Sequence, residues 1–108
     1  MTSRLPANLE VAALVRAVQG EGGFASILHK GDSDRGTISL LVAERGQPHA
    51  VLQRRMTADF TYRWSENAPP AHWRNWVESQ SRIDPDCWLI ELDVADAQRF
   101  IAETLSSP

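Results

Sequence analysis

Between Leu9 and Gln19 the apolar residues Val11, Leu14, Val15 and Val18 recur at intervals of three and four, which sets them along one face of a helix. Gly20-Glu21-Gly22-Gly23 ends that helix, because glycine admits the left-handed backbone with which helices commonly close. Phe24 to Lys30 reads as a strand carrying Ile27 and Leu28. The turn cluster Gly31-Asp32-Ser33-Asp34-Arg35-Gly36 then leads into Thr37 to Glu44, where Ile38, Leu40 and Val42 alternate against Thr37 and Ser39. These two segments are expected to form a hairpin. Arg45-Gly46-Gln47 makes a second short connection into a strand over His49 to Arg54. Phe60, Tyr62 and Trp64 alternate with Thr61 and Arg63, the clearest period-two run in the chain. Four strands in meander order follow from this pattern.

Pro69-Pro70 suits the opening of a helix, where a missing amide proton costs nothing, and Trp73, Trp76, Val77 and Ile83 trace one face of it. Asp84-Pro85-Asp86 ends the helix. Cys87 to Asp93 reads as a strand with Trp88, Ile90 and Leu92 facing one way, and Asp93 is placed to cap a last helix carrying Ala97, Phe100, Ile101 and Leu105. The expected order is α-β-β-β-β-α-β-α. The fold class is α+β, a two-layer sandwich whose mainly antiparallel sheet of about five strands is covered on one face by the helices at the ends of the chain.

Length and charge narrow the classes. A chain of 108 residues is expected to form a single domain over residues 1–108, with 1–7 and 106–108 flexible, and to remove roughly 65% of its unfolded surface from water. The net charge of -3 gives phosphate little attraction, which disfavours nucleic-acid binding. Cys87 is the single cysteine, so no intramolecular disulfide can form and a zinc site would have to lean on histidines and carboxylates. A reducing cytoplasm fits this. No apolar run approaches the roughly 18 residues of a membrane span and Met1 to Ala7 does not read as a secretory signal, so a cytoplasmic location with no membrane partner is expected.

Candidate chemistry is sparse. Asp32-Ser33-Asp34-Arg35-Gly36 opens like a calcium loop, but the sixth and twelfth positions of such a loop hold Thr37 and Ala43 instead of glycine and glutamate. Its structural reading is a turn in which the aspartates accept backbone amide protons and the glycines take positive φ. Gly20 to Ala25 fits a loose dinucleotide fingerprint with the strand and helix in reversed order, and no phosphate loop or serine-nucleophile elbow is present. His29, His49 and His72 lack paired ligand spacing, and Cys87 beside Trp88 reads as a small core residue. No catalytic residue and no cofactor is assigned. Asp32, Asp34, Asp84, Asp86 and Glu91 could converge on a hard cation if the last strand lies beside the first turn, although Asp84-Pro85-Asp86 also reads as a plain turn. Arg54, Arg55, Arg63, Trp64, His72, Trp73 and Arg74 could in principle stack and bind single strands, but Trp73 and Trp76 are spaced as core residues.

Three segments coincide in order and spacing with one family: Val11-Ala12-Ala13-Leu14-Val15-Arg16, Lys30-Gly31-Asp32-Ser33-Asp34-Arg35-Gly36, and Asp84-Pro85-Asp86-Cys87-Trp88-Leu89-Ile90-Glu91. Over about residues 9 to 93 the chain resembles the short alphaproteobacterial proteins of the domain of unknown function 1491 family. The resemblance implies this fold and a bacterial cytoplasmic location and supplies no mechanism. The chain departs from the family pattern at Leu9, at Arg16, and in Ala95 to Leu105, which reads as a helix.

A sheet of this size has two edges, which proteins commonly pair, charge or cover. The function expected is a non-enzymatic interaction or self-associating module, as a homodimer or with another protein, through a sheet edge or the aromatic face of Tyr62, Trp64 and Trp73. A small enzyme or divalent-cation binder built on the five acidic residues is the alternative, and a weak single-stranded nucleic-acid binder stands third.

Overall fold

The computed structural model describes residues 5–56, 58, 59 and 62–105. In chain order the elements are α1 (Ala7–Gly20), β1 (Phe24–His29), β2 (Ile38–Glu44), β3 (Gln47–Met56), β4 (Tyr62–Asn67), α2 (Trp73–Ile83), β5 (Trp88–Val94) and α3 (Ala97–Phe100), which runs on as a π-helical turn over Ile101–Leu105. This is the expected order of elements, in an open five-stranded α+β sheet. Phe60 and Thr61, which the alternating pattern assigns to the fourth strand, lie outside the described residues, as do residues 1–4 and 106–108 of the termini. Ala7, the last residue of the N-terminal stretch expected to be flexible, is instead fully buried and opens α1.

The meander is overturned. The strands lie in the order β1-β5-β2-β3-β4, so the last strand in sequence separates β1 from β2 and no hairpin joins them. β5 runs antiparallel to β1 and parallel to β2, with Ile38 opposite Trp88 and Glu44 opposite Val94. The cause is apolar surface. Ile38 to Ala43 are all buried, as are Trp88, Leu89, Ile90, Leu92 and Val94, and strands buried on both faces take central positions. The connection between β1 and β2 therefore crosses two interstrand spacings, about 9–10 Å, over the start of β5.

That crossing is tight. Asp32 donates its backbone N–H to the Asp86 carbonyl at 2.9 Å, and Trp88 donates its backbone N–H to the Thr37 carbonyl at 2.7 Å. A Cβ on Gly31 or Gly36 would collide with the backbone at Asp86. These glycines were expected to supply positive φ. That conformation occurs instead at Gly22, φ 79°, beside the end of α1, and at Arg45 and Gly46, φ 52° and 81°, in the two-residue turn between β2 and β3.

Side chains of even number on β2, β3 and β5 face the helices at the ends of the chain. Leu40, Val42, Leu52, Ile90 and Leu92 form this core with Val11 and Val18 of α1 and Phe100, Ile101 and Leu105 beyond β5, while Leu14 and Val15 pack at its margin. The expected faces of α1 and of the last helix are thus the observed ones. Leu41, Val51 and Leu89 point the other way and are also buried. Trp73, Trp76 and Val77 are only half-buried, and Ile83 is 76% exposed, so the α2 face expected as core contributes no fully buried side chain. Proline did not open α2 either, whose first residue is Trp73.

The expected helix cap shifts from Asp93 to Asp96, whose carboxylate accepts the Arg99 amide proton at 3.1 Å. Asp93 instead accepts the amide protons of Arg45 and Gly46 at 3.0 and 2.8 Å and holds the β2–β3 turn against β5. Gly31→Ala is expected to lower the stability by about 1–3 kcal/mol in denaturant unfolding, because the atoms it strikes are backbone and cannot rotate aside. The same change at Gly20, where a Cβ meets nothing within 4 Å, should have a much smaller effect.

Candidate functional site

The acidic residues singled out in the sequence fall in two turns and one strand. Those turns meet through backbone, at the Asp32–Asp86 hydrogen bond. The Asp32 carboxylate turns back on its own loop and accepts the amide protons of Asp34 and Arg35 at 3.1 and 2.7 Å. These two bonds hold its pKa below the ordinary carboxylate value, with the nearby Arg35 charge adding to them. Asp84 accepts the Asp86 amide proton at 3.2 Å and the Thr37 hydroxyl proton at 3.3 Å, which is the plain-turn reading of Asp84-Pro85-Asp86. Asp34 and Asp86 are exposed, and Glu91 lies further along β5 opposite Ser26. Among the described residues, no three His, Cys, Asp or Glu side chains are grouped so that they could hold a metal ion.

The aromatic residues divide. Tyr62 and Trp64 share one side of β4, with Tyr62 50% exposed. Trp64 packs against the α1 core, and the Arg54 guanidinium lies over its ring at 4.5 Å from the centroid. Arg54 is also ion-paired with Glu10 of α1, both side chains being largely buried. This arginine is therefore committed to joining β3 to α1 and is not a free phosphate contact. Trp73 opens α2 and carries Arg74 at 5.1 Å. The Arg55 side chain lies outside the described residues.

Two histidines are engaged by hydrogen bonds. The His29 ring donates its Nδ1–H to the Cys87 carbonyl at 2.8 Å, and His49 pairs with Gln98 at 3.1 Å. Cys87 is buried, and burial raises its thiol pKa, with the negative charge of Asp84 raising it further. Shallow concavities lie on the surface of the described residues. One of about 290 Å³ lies between Leu5, Ala13, Leu14, Ala17 and Thr104, beside the Glu10–Arg54 pair. Another, of about 330 Å³, lies at the start of α2 around His72, Trp73 and Arg74.

The feature that the sequence pattern did not single out is the β1 edge. Phe24 is 76% exposed and Ile27 52% exposed, Ser26 is exposed between them, and among the described residues β1 pairs with β5 alone. A fairly apolar six-residue strand without a formal charge was the available signal.

The model of one family, described as "Protein of unknown function (DUF1491)", matches residues 5–102. The chain is similar to a crystal structure of a DUF1491 family protein from Caulobacter crescentus CB15, with 27% identity and a TM-score of 0.78 over 90% of this chain and 94% of that one. It is similar to an NMR structure of a DUF1491 family protein from the same organism, at 25% identity and TM-score 0.76 over 98% and 100% of the two chains. The solution structure of protein Atu0922 from A. tumefaciens shares the fold at 22% identity, TM-score 0.68, over 87% and 89%. No curated protein matches the chain. Among the described residues no helix is long and apolar enough to cross a membrane.

Two outcomes test the electrostatics. Asp32 is held ionised in the folded chain, so its contribution to stability is complete above the ordinary carboxylate pKa and is lost as the pH falls through its lowered value. Asp32→Ala should therefore lower the melting temperature at pH 7, with the deficit shrinking in strongly acidic solution. The Cys87 thiol should react with a disulfide reagent at neutral pH far more slowly in the native protein than in denaturant.

Proposed function

The chain belongs to the DUF1491 family, a grouping described only as being of unknown function, and on that premise we propose that it is a non-enzymatic interaction module that binds a protein partner through the open β1 edge of its sheet. One observation carries this reading. Among the described residues β1 leaves one side of its backbone without a strand partner while presenting Phe24 and Ile27 to water, and an edge of this kind is a template for a further strand. The opposite edge differs. β4 carries Arg63 and Glu66, and charged side chains on an edge discourage strand addition.

The carboxylates support a structural rather than a chemical role for the polar groups. Asp32, Asp84, Asp93 and Asp96 each accept backbone amide protons, which gives these carboxylates a structural task in the turns and at the last helix. A cytoplasmic setting belongs to the same proposal and rests on the single buried thiol and a fold that needs no disulfide.

A photo-crosslinking amino acid placed at Ile27 in the full chain, expressed in a bacterial cytoplasm of the native kind, should give a covalent protein adduct on irradiation. The same group at Glu66 on the β4 edge should give none. An Ile27 probe that captures no protein while the variant remains folded would overturn the edge reading.

A further inference from the structure

We infer that the strand received by the β1 edge is β1 of a second copy, paired antiparallel about a two-fold axis through Ser26; this rests on the edge reading above and names its partner. The composition of the strand is the first argument. Phe24–His29 contains no lysine, arginine, aspartate or glutamate, so two copies can lie side by side without opposing like charges. An isologous contact needs such a self-compatible patch, since every residue meets the same surface on the other copy.

Symmetry then restricts the register. A two-fold axis perpendicular to the sheet keeps every side chain on its own face, and directly opposed residues in a sheet share a face. The axis must therefore pass between a residue and its own counterpart. A pairing that puts Ser26 opposite Ile27 is forbidden. With Ser26 on the axis, Ala25 faces Ile27 of the second copy and Phe24 comes against its Leu28, the residue at the register shift, so each large exposed apolar side chain of β1 gains an apolar neighbour. The register shift between Ile27 and His29 lies at the end of this ladder and leaves Phe24 to Ile27 regularly paired to β5.

Charge complementarity continues past the strand. Beyond the bulge exposed Lys30 of one copy lies toward the α1–β1 turn of the other, where exposed Glu21, which also meets Arg99 at 3.4 Å, carries the opposite charge. The assembly would be a continuous ten-stranded sheet ending on the two charged β4 edges, with both open edges closed against each other.

Purified full-length chain followed by sedimentation from about 1 μM to about 1 mM should pass from monomer to dimer, as a short ladder with few buried side chains gives a weak contact. Phe24→Ser should raise the dissociation constant at least about tenfold without lowering the melting temperature, because that side chain is exposed in the monomer. Ser26→Cys should form a reducible cross-linked dimer under mild oxidation, since directly opposed residues lie within disulfide reach. Tyr62→Cys, at the other edge, should not. The wild-type chain is the control, its one thiol being buried. A chain that stays monomeric throughout, with Ser26→Cys uncross-linked, would overturn the inference, as would a dimer unaffected by Phe24→Ser. If the purified chain is monomeric but the Ile27 probe still captures a different protein in cells, the second copy is the wrong partner and the edge reading stands. If neither occurs, both fall.

Discussion

Trp88–Val94 is paired on both flanks, antiparallel to β1 and parallel to β2, and this insertion ties the beginning of the chain to its end. Leu89, Ile90 and Leu92 are at most 1% exposed, and burying a side chain of that size contributes about 1.5–3 kcal/mol. The polar groups where β5 enters the sheet are matched as closely. The indole Nε1–H of Trp88 donates to the Asp32 carbonyl at 2.7 Å, the His29 ring meets the Cys87 carbonyl, and the 31–37 segment lies over the strand through two backbone hydrogen bonds. The loop also fixes α1, whose first amides, on Ala7 and Asn8, donate to the Asp34 and Ser33 carbonyls at 3.2 and 2.9 Å. One loop thus positions α1 and the entry of β5 together.

This arrangement explains why so much acidic side chain yields so little reactive geometry. A crossing connection cannot satisfy its amides within a regular ladder, and buried or bent backbone needs partners from somewhere. Asp32 supplies them inside the crossing loop, Asp84 in the turn before β5, Asp93 at the β2–β3 turn and Asp96 at the last helix. Glu44 does the same at the Ala97 amide, at 3.0 Å. Each carboxylate sits where the chain reverses or a helix begins, which is where orphan donors accumulate.

What could be read from the sequence was whatever depends on near neighbours. The stripe of Val11, Leu14, Val15 and Val18, the alternation of Trp88, Ile90 and Leu92, and the buried set from Ala97 to Leu105 are local periodicities, and each appears in the structure. Strand order is not local. The pairing of β5 with β1 and β2 is decided by which strands bury both faces, and the sign of it was the unbroken apolar run Leu40 to Ala43, read instead as alternation because Thr37 and Ser39 precede it. Gly31 and Gly36 were legible as turn glycines but not as contacts, since the backbone they admit lies some fifty residues away. Asp93 and Asp96 both stand ahead of a helix, and only the distant Arg45–Gly46 turn distinguishes them. Asp32 and Asp84 were legible as turn formers, whereas the β1 edge was hidden because an edge is defined by what does not pair with it.

The exposed edge follows from the same insertion. In a meander, β1 would end the sheet beside β2 and the tryptophan strand would have to lie elsewhere with one apolar face unsupported. Seating β5 inside keeps β1 at the rim with β5 in place of β2 as its neighbour, at the far side from the charged β4, and leaves a strand without formal charge where charge is usually placed. The bulge between Ile27 and His29 shortens that edge but does not cover Phe24, Ser26 or Ile27. The interior therefore gains a strand buried along most of its length, and the border is left to β1, whose outer backbone groups have no strand partner among the described residues.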